Sequence, residues 1–151
     1  MGYMHAYKFG PWSSACLLVL SLFLAGVGSG IADDARPSII NCDIQSGPCE
    51  QSRDGAMITF DIGPRPVRAM QDLTFKVTID PKASSASFLL MWLNMPAMDM
   101  GTNQVVLQMV APGVYSGRGV IVRCRSGRRT WKATVAVPQL GKLDFIFDIL
   151  Y

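Results

Sequence analysis

The sequence predicts an all-β protein: an immunoglobulin-like antiparallel β-sandwich of about seven strands, preceded by an N-terminal signal or anchor helix. Short runs in which apolar and polar residues alternate recur along the chain, and Gly, Pro and Asp residues separate them. Residues 73–79 are the clearest case, because Leu73, Phe75 and Val77 share one face of a strand. No convincing amphipathic helix interrupts these runs. Strands at this spacing are typical of a β-sandwich.

About seven strands are predicted in order along the chain. They cover residues 56–62, 73–79, 87–94, 104–110, 114–124, 130–137 and 143–150. Residues 87–94 are apolar on both faces, which indicates a strand at the centre of the sandwich. Trp92 in this strand and Trp131 further along are expected in the core. Residues 125–128 predict a hairpin that joins the strand before them to the strand after them.

The first 32 residues are interpreted as a targeting segment. Residues 13–28 are apolar, small residues follow, and charge returns at Asp33 and Asp34. This order is typical of a secretory signal peptide that is cleaved after Ala32. An uncleaved membrane anchor is the alternative, since residues 12–32 form an uncharged run of about the 20 residues that a spanning helix needs. Both interpretations place the rest of the chain outside the cytoplasm, in the periplasm or on the outer face of the inner membrane.

Charge and histidine content exclude several functions. The chain has 14 Lys and Arg against 11 Asp and Glu, a balance too mild to indicate nucleic-acid binding. Its one histidine, His5, lies in the targeting segment, so the remainder has none. This excludes Ser-His-Asp and Cys-His nucleophile systems and zinc or Cu(II) sites built from histidine. With no close carboxylate pair either, we expect a protein that is not an enzyme.

Three cysteines follow the targeting segment: Cys42, Cys49 and Cys124. Cys42 and Cys49 flank a Gly-Pro turn, and in an exported chain such a pair is expected to form a disulfide. We therefore interpret residues 33–55 as a leader that carries this disulfide loop. Cys124 is then a buried thiol, or it pairs with one of the other two. A redox pair or a thiolate metal site is a further alternative, although no Cys-x-x-Cys spacing supports it.

Methionine is concentrated in one part of the chain. Five of the nine methionines lie within nineteen residues, at Met91, Met95, Met98, Met100 and Met109. Pro96 must end the preceding strand because it lacks an N–H group, so Met95, Met98 and Met100 are expected on a loop. Thioethers are soft ligands that suit Cu(I), which makes these three the candidate ligands, with Met91 and Met109 in reserve. The alternative is that the methionines fill gaps in the core.

Positive charge is concentrated between residues 118 and 132. The cations are Arg118, Arg123, Arg125, Arg128, Arg129 and Lys132. They could bind anionic lipid head groups or an acidic partner. The alternative is a solvated edge hairpin, on which charge discourages association between sheet edges.

Three motifs resemble the YtkA-like family of small exported domains. They are Met-Pro-Ala-Met-Asp-Met-Gly at residues 95–101, Pro-Gly-Val-Tyr-Ser-Gly at residues 112–117 and Trp-Lys-Ala-Thr-Val at residues 131–135. The similarity extends to FixH-like proteins and, at the level of the fold, to CopC-type copper carriers, and it covers about residues 68–150. It implies an exported immunoglobulin-like sandwich, and some relatives suggest copper handling. The chain departs from the family at Arg128-Arg129-Thr130, which precede Trp131 where the family usually has a glycine next to the tryptophan, although Gly127 is close.

The sequence therefore predicts a targeting segment at residues 1–32, a leader at residues 33–55 and a YtkA-like β-sandwich domain at residues 56–151. The leading hypothesis is an exported, non-enzymatic protein that binds Cu(I) through its methionine-rich loop. CopC-type Cu(II) sites use histidine, which residues 33–151 lack. The resemblance can therefore imply only a Cu(I) site built from thioethers. The alternative is a structural module that binds an envelope or membrane protein and holds no metal.

Overall fold

The computed structural model describes residues 39–80, 86–98 and 101–151. The predicted signal or anchor helix lies outside the described residues. None of the described residues belongs to a helix long and apolar enough to span a membrane. Residues Ala35–Tyr151 form one compact unit.

Eight antiparallel strands make up the fold. They are β1 (Cys49–Arg53), β2 (Ala56–Gly63), β3 (Asp72–Ile79), β4 (Phe88–Asn94), β5 (Gln104–Ala111), β6 (Val114–Val120), β7 (Thr130–Val137) and β8 (Gly141–Asp148). Their order in the sheet is β1-β2-β3-β6-β5-β4-β7-β8. The prediction of an all-β antiparallel fold is confirmed, and Leu73, Phe75 and Val77 lie on the buried face of β3 as the alternating pattern predicts.

The eighth strand is β1, which the sequence interpretation had assigned to the leader. Asp54 and Gly55 have φ angles of 49° and 80° and form the two-residue turn that pairs β1 with β2. Positive φ at both central positions is the requirement of a type I′ hairpin turn, and Asp-Gly is a preferred sequence for it. Strand β1 carries mostly exposed polar residues, so it has no alternating pattern that could have revealed it.

The predicted hairpin at residues 125–128 is wrong. Strand β6 pairs with β3 and β5, whereas β7 pairs with β4 and β8. Residues 121–129 therefore cross the end of the sheet as the long connection of a Greek key. Ile121 and Cys124 are buried within this connection, which draws it over the core instead of letting it turn back on itself.

The sheet closes on itself around a core of inward-facing side chains. Phe60 in β2 stacks on Phe145 in β8, with ring centroids 4.9 Å apart, and its ring is 5.9 Å from that of Phe147. Strands β2 and β8 lie near opposite ends of the strand order, so these contacts bring the two halves of the sheet face to face. The result is a sandwich-like, nearly closed sheet. Tyr115 and Trp131 are the largest of the other fully buried side chains.

Side chains bridge the remaining gap between the edge strands β1 and β8. Gln51 Nε2 donates to the carbonyl oxygen of Asp144 at 2.8 Å, and Arg53 Nη1 donates to that of Lys142 at 3.1 Å. Both contacts occupy backbone acceptors that an open edge would present to other chains.

The predicted disulfide is confirmed. Cys42 and Cys49 are bonded, with their Cα atoms 5.4 Å apart. The amide groups of Asn41 and Cys42 both donate to the carbonyl oxygen of Ile146 at 3.1 Å, so the segment before β1 lies along β8. Cys124 is a free, buried thiol.

Gly117 in β6 lies where β6 and β5 approach closely. A Cβ atom there would be 2.5 Å from the carbonyl oxygen of Val106 and 2.9 Å from Cδ2 of Leu107. Gly117→Ala must therefore push the two strands apart, and we expect it to lower the free energy of unfolding by about 1–3 kcal/mol. Urea unfolding measures this. Gly47→Ala is the control, because its Cβ would meet nothing within 4 Å. Equal losses in the two variants would contradict the packing argument.

Candidate methionine site

One end of the sheet carries Met95, Met98 and four of the six predicted cations. At this end β4, β6 and β8 finish and β3, β5 and β7 begin, as the strand registers show. We call it the methionine end. Residues 95–98 follow β4 here, and residues 121–129 run from β6 to β7. The topology therefore places the methionine turn and most of the arginines at the same end.

The methionine turn spans residues 95–98. The amide of Met98 donates to the carbonyl oxygen of Met95 at 3.1 Å, which closes a four-residue turn. Pro96 occupies its second position and Ala97, with φ of 58°, its third, as a type II turn requires. Strand β4 ends at Asn94, which agrees with the expectation that Pro96 terminates it.

The two ends of this turn differ in burial. Met95 is only 2% exposed and belongs to the core, whereas Met98 is half-buried and packs against the core from outside. The register that pairs Asn94 with Lys132 places Met95 opposite Trp131, which is also buried. Among the buried side-chain nitrogen and oxygen atoms of the described residues, Trp131 Nε1 is the one that has no hydrogen-bond partner. A thioether and an unpaired indole N–H thus lie on neighbouring strands under the turn.

The structure brings Met95 and Met98 together but leaves the reserve ligands apart from them. Met91 is fully buried in β4, four residues before Met95 and about 13 Å from it along the strand. The amide of Met109 donates to the carbonyl oxygen of Ser87, next to the opposite end of β4, about 26 Å from Met95. Met100 lies outside the described residues.

Other metal ligands are not clustered in the part that the structure describes. No group of three His, Cys, Asp or Glu side chains there could hold a metal ion. A thioether site uses none of these residue types, so the methionine turn is a separate kind of candidate.

Cys124 lies in the connection that crosses the methionine end. Its Sγ is 3.0 Å from the hydroxyl oxygen of Ser126. Hydrogen bonds from the side chain and the backbone of Ser126 lower the pKa of the thiol, partly opposed by its burial, and the backbone and charge of Arg128 lower it further. The Cys124 amide donates to the hydroxyl oxygen of Tyr151 at 3.3 Å. These contacts hold the thiol in place within a positively charged loop.

Four of the six predicted cations lie together in residues 121–129. They are Arg123, Arg125, Arg128 and Arg129, and all four are exposed. The ion pairs found among the described residues, Arg65–Asp61 and Lys132–Asp144, include none of them. A cavity of about 400 Å³ lies among them, lined by Arg123, Cys124, Arg125 and Gly127. Lys132 and Arg118 instead lie within strands β7 and β6.

A second concave surface runs over the outer face of β4, β7 and β8. Trp92 lies on this face and is half-buried, so its prediction as a core residue is wrong. Lys142 Nζ lies 5.4 Å from the centroid of its ring and covers it, which explains how an apolar side chain is accommodated outside the core. Next to it is a cavity of about 480 Å³ whose lining includes Phe88, Leu90 and Pro138. Sequence reasoning missed this groove, because two apolar faces in one strand indicated burial on both sides.

Comparison with known proteins returns no match to a family model, to a curated protein or to a solved structure. The resemblance to YtkA-like domains stays a prediction that rests on residues 95–101, 112–117 and 131–135.

Proposed function

We propose that this chain is an exported, non-enzymatic binding module of the immunoglobulin-like, YtkA-like kind, which binds Cu(I) through its methionine turn. The observation that supports the proposal is the closed turn that presents Met95 and Met98 at one end of the sheet. Met100, two residues beyond Met98 in the sequence, is the third proposed ligand. Cu(I) accepts a small set of soft ligands, and thioethers meet that requirement.

The proposed site has a defined division of roles. Met98 is half-buried whereas Met95 is almost fully buried, so of these two sulfurs that of Met98 is the one that incoming metal reaches first. Met95 is held beneath it, opposite Trp131, in a surrounding that excludes water. Thioethers carry no proton at any ordinary pH, so binding should persist in acid, unlike binding by thiolate or imidazole ligands.

Titration with Cu(I) against a competing chelator tests the proposal on residues 35–151. Met98→Leu keeps the side-chain volume but removes the sulfur, and we expect it to weaken binding about tenfold or more, roughly 1.4 kcal/mol. Met109→Leu is the matched control and should bind as the wild type does, because Met109 lies next to the far end of β4. Equal affinity in Met98→Leu and the wild type would refute the metal site.

A second candidate function is a structural or partner-binding module that holds no metal and attaches to an envelope or membrane assembly. Two observations favour it: Met95 is placed like a packing residue, and the outer face of the sheet exposes Phe88 of β4 and Val106 of β5 to solvent, 48% and 44% respectively. It predicts that no copper binds in stoichiometric amount. Crosslinking from a photoreactive group at Met98 would then capture a protein partner.

A further inference from the structure

We propose that residues 121–129, which we call the arginine loop, bind the domain to an anionic lipid bilayer surface. The loop carries four arginines within seven residues, at Arg123, Arg125, Arg128 and Arg129. This inference does not depend on the Cu(I) site, since none of these residues belongs to the methionine turn.

The positive charge of the arginine loop is not neutralised within the described part of the protein. None of its arginines takes part in an ion pair there. Asp148 and Asp72 are the carboxylates at the neighbouring strand ends, and Asp148 accepts a hydrogen bond from Thr130 Oγ1 at 2.7 Å. The whole chain carries only +3, so the concentration of charge at one end is a local feature and not a consequence of composition. Guanidinium groups bind phosphate oxygens in a bidentate manner, as lipid head groups allow.

Exposed apolar side chains accompany these arginines. Val122 within the loop is 38% exposed, and Met70 is 67% exposed. The amide of Met70 donates to the carbonyl oxygen of Ile121 at 2.8 Å, so Met70 lies beside the start of the loop. Cations next to exposed apolar groups suit a bilayer surface, where phosphates lie just above the acyl chains. A purely acidic protein partner would leave Met70 without a role.

The fold holds the arginines in position. Ile121 and Cys124 fix the loop to the core, and the hydroxyl of Tyr151 donates to the carbonyl oxygen of Arg128. The guanidinium carbons of Arg123 and Arg129 lie 5.1 Å and 5.9 Å from the centroid of the Tyr151 ring. Side chains that are ordered before binding lose less conformational entropy on contact with the membrane.

Vesicle co-sedimentation of residues 35–151, a compact unit with its own core, tests the proposal. We expect binding to phosphatidylcholine vesicles that contain phosphatidylglycerol and none to phosphatidylcholine alone. Each arginine near an anionic surface strengthens binding about fivefold, so Arg125→Gln/Arg128→Gln should weaken it about thirtyfold. The matched control, Arg53→Gln/Lys76→Gln, removes the same charge away from the loop and should weaken binding less than about threefold. An equal loss in the two double variants would overturn the proposal.

Two further measurements separate a bilayer from other anions. Met70→Ser keeps the charge and should weaken vesicle binding about threefold, because an apolar contact is lost. Sodium phosphate and sodium chloride at equal ionic strength should release the domain equally. Release by phosphate alone would identify a small-anion site at the arginines instead. Unchanged vesicle binding in Met70→Ser, together with equally strong binding to polyglutamate, would identify an acidic polypeptide partner and overturn the assignment to lipid.

Discussion

Phe60→Ala is expected to lower the free energy of unfolding by about 3–5 kcal/mol, the loss typical of a fully buried phenylalanine. Phe60 is completely buried, stacks on Phe145 and contacts Phe147 at a tilt. The truncation removes the buried ring. It also leaves a cavity, because strands β2 and β8 cannot close up fully around the smaller side chain. For a domain of this size the melting temperature should fall on the order of 15 °C.

Phe88→Ala provides the control for this prediction. Phe88 is the same residue type but is 48% exposed on the outer face of β4, so its truncation should cost less than about 1 kcal/mol. Urea unfolding of the two variants, followed by circular dichroism, gives the comparison. If Phe60→Ala were no more damaging than Phe88→Ala, the stacking of β2 against β8 across the core would be refuted.

Much of the sheet could be predicted from the sequence, because one face of most strands is buried. Residues 73–79 alternate strictly, and the structure places β3 there with the expected face inward. Strand β7 lies at residues 130–137 as predicted, with Trp131 in the core. The end of β6 could not be found in this way. Ile121 and Cys124 continue an apolar pattern that looks like strand, yet they are buried by the loop that crosses the end of the sheet. An apolar pattern in the sequence indicates that residues are buried, but it does not indicate which part of the fold buries them.

The candidate methionine site could likewise be predicted only in part from the sequence. Pro96 predicted where β4 stops, and the turn at Met95 and Met98 follows from it. The neighbour relation between Met95 and Trp131 depends on the pairing of β4 with β7, two strands far apart in the sequence. The lowered pKa of Cys124 depends on the folded geometry of its loop, which brings Ser126 and Arg128 to the thiol. Contacts of this kind need the topology and cannot be derived from spacing alone.

Removal of the Cys42–Cys49 disulfide is expected to lower the free energy of unfolding by about 2.5 kcal/mol. The bond closes a loop with a sequence separation of seven residues, and the chain-entropy relation gives this value for so short a loop. A second effect acts in the folded state, because the loop holds Asn41 against β8. Asn41 Nδ2 donates to the carbonyl oxygen of Asp144 at 3.0 Å, and its Oδ1 accepts from the amide of Ile146 at 2.8 Å. Without the bond, this segment should leave the edge of β8 more often.

Two readouts distinguish these effects in Cys42→Ala/Cys49→Ala. Urea unfolding gives the total loss, and amide hydrogen exchange at Ile146 reports whether the edge of β8 opens locally before the domain unfolds. A reducing agent should destabilise the wild type by the same amount and leave the double variant unchanged. Cys124→Ala is the matched control, since Cys124 is buried but forms no disulfide. This variant keeps the Cys42–Cys49 bond, so a reducing agent should destabilise it by the same amount as the wild type. Fast exchange at Ile146 without a change in global stability would contradict the predicted loss of about 2.5 kcal/mol, and the disulfide would then act only by holding the segment before β1 against the edge of β8.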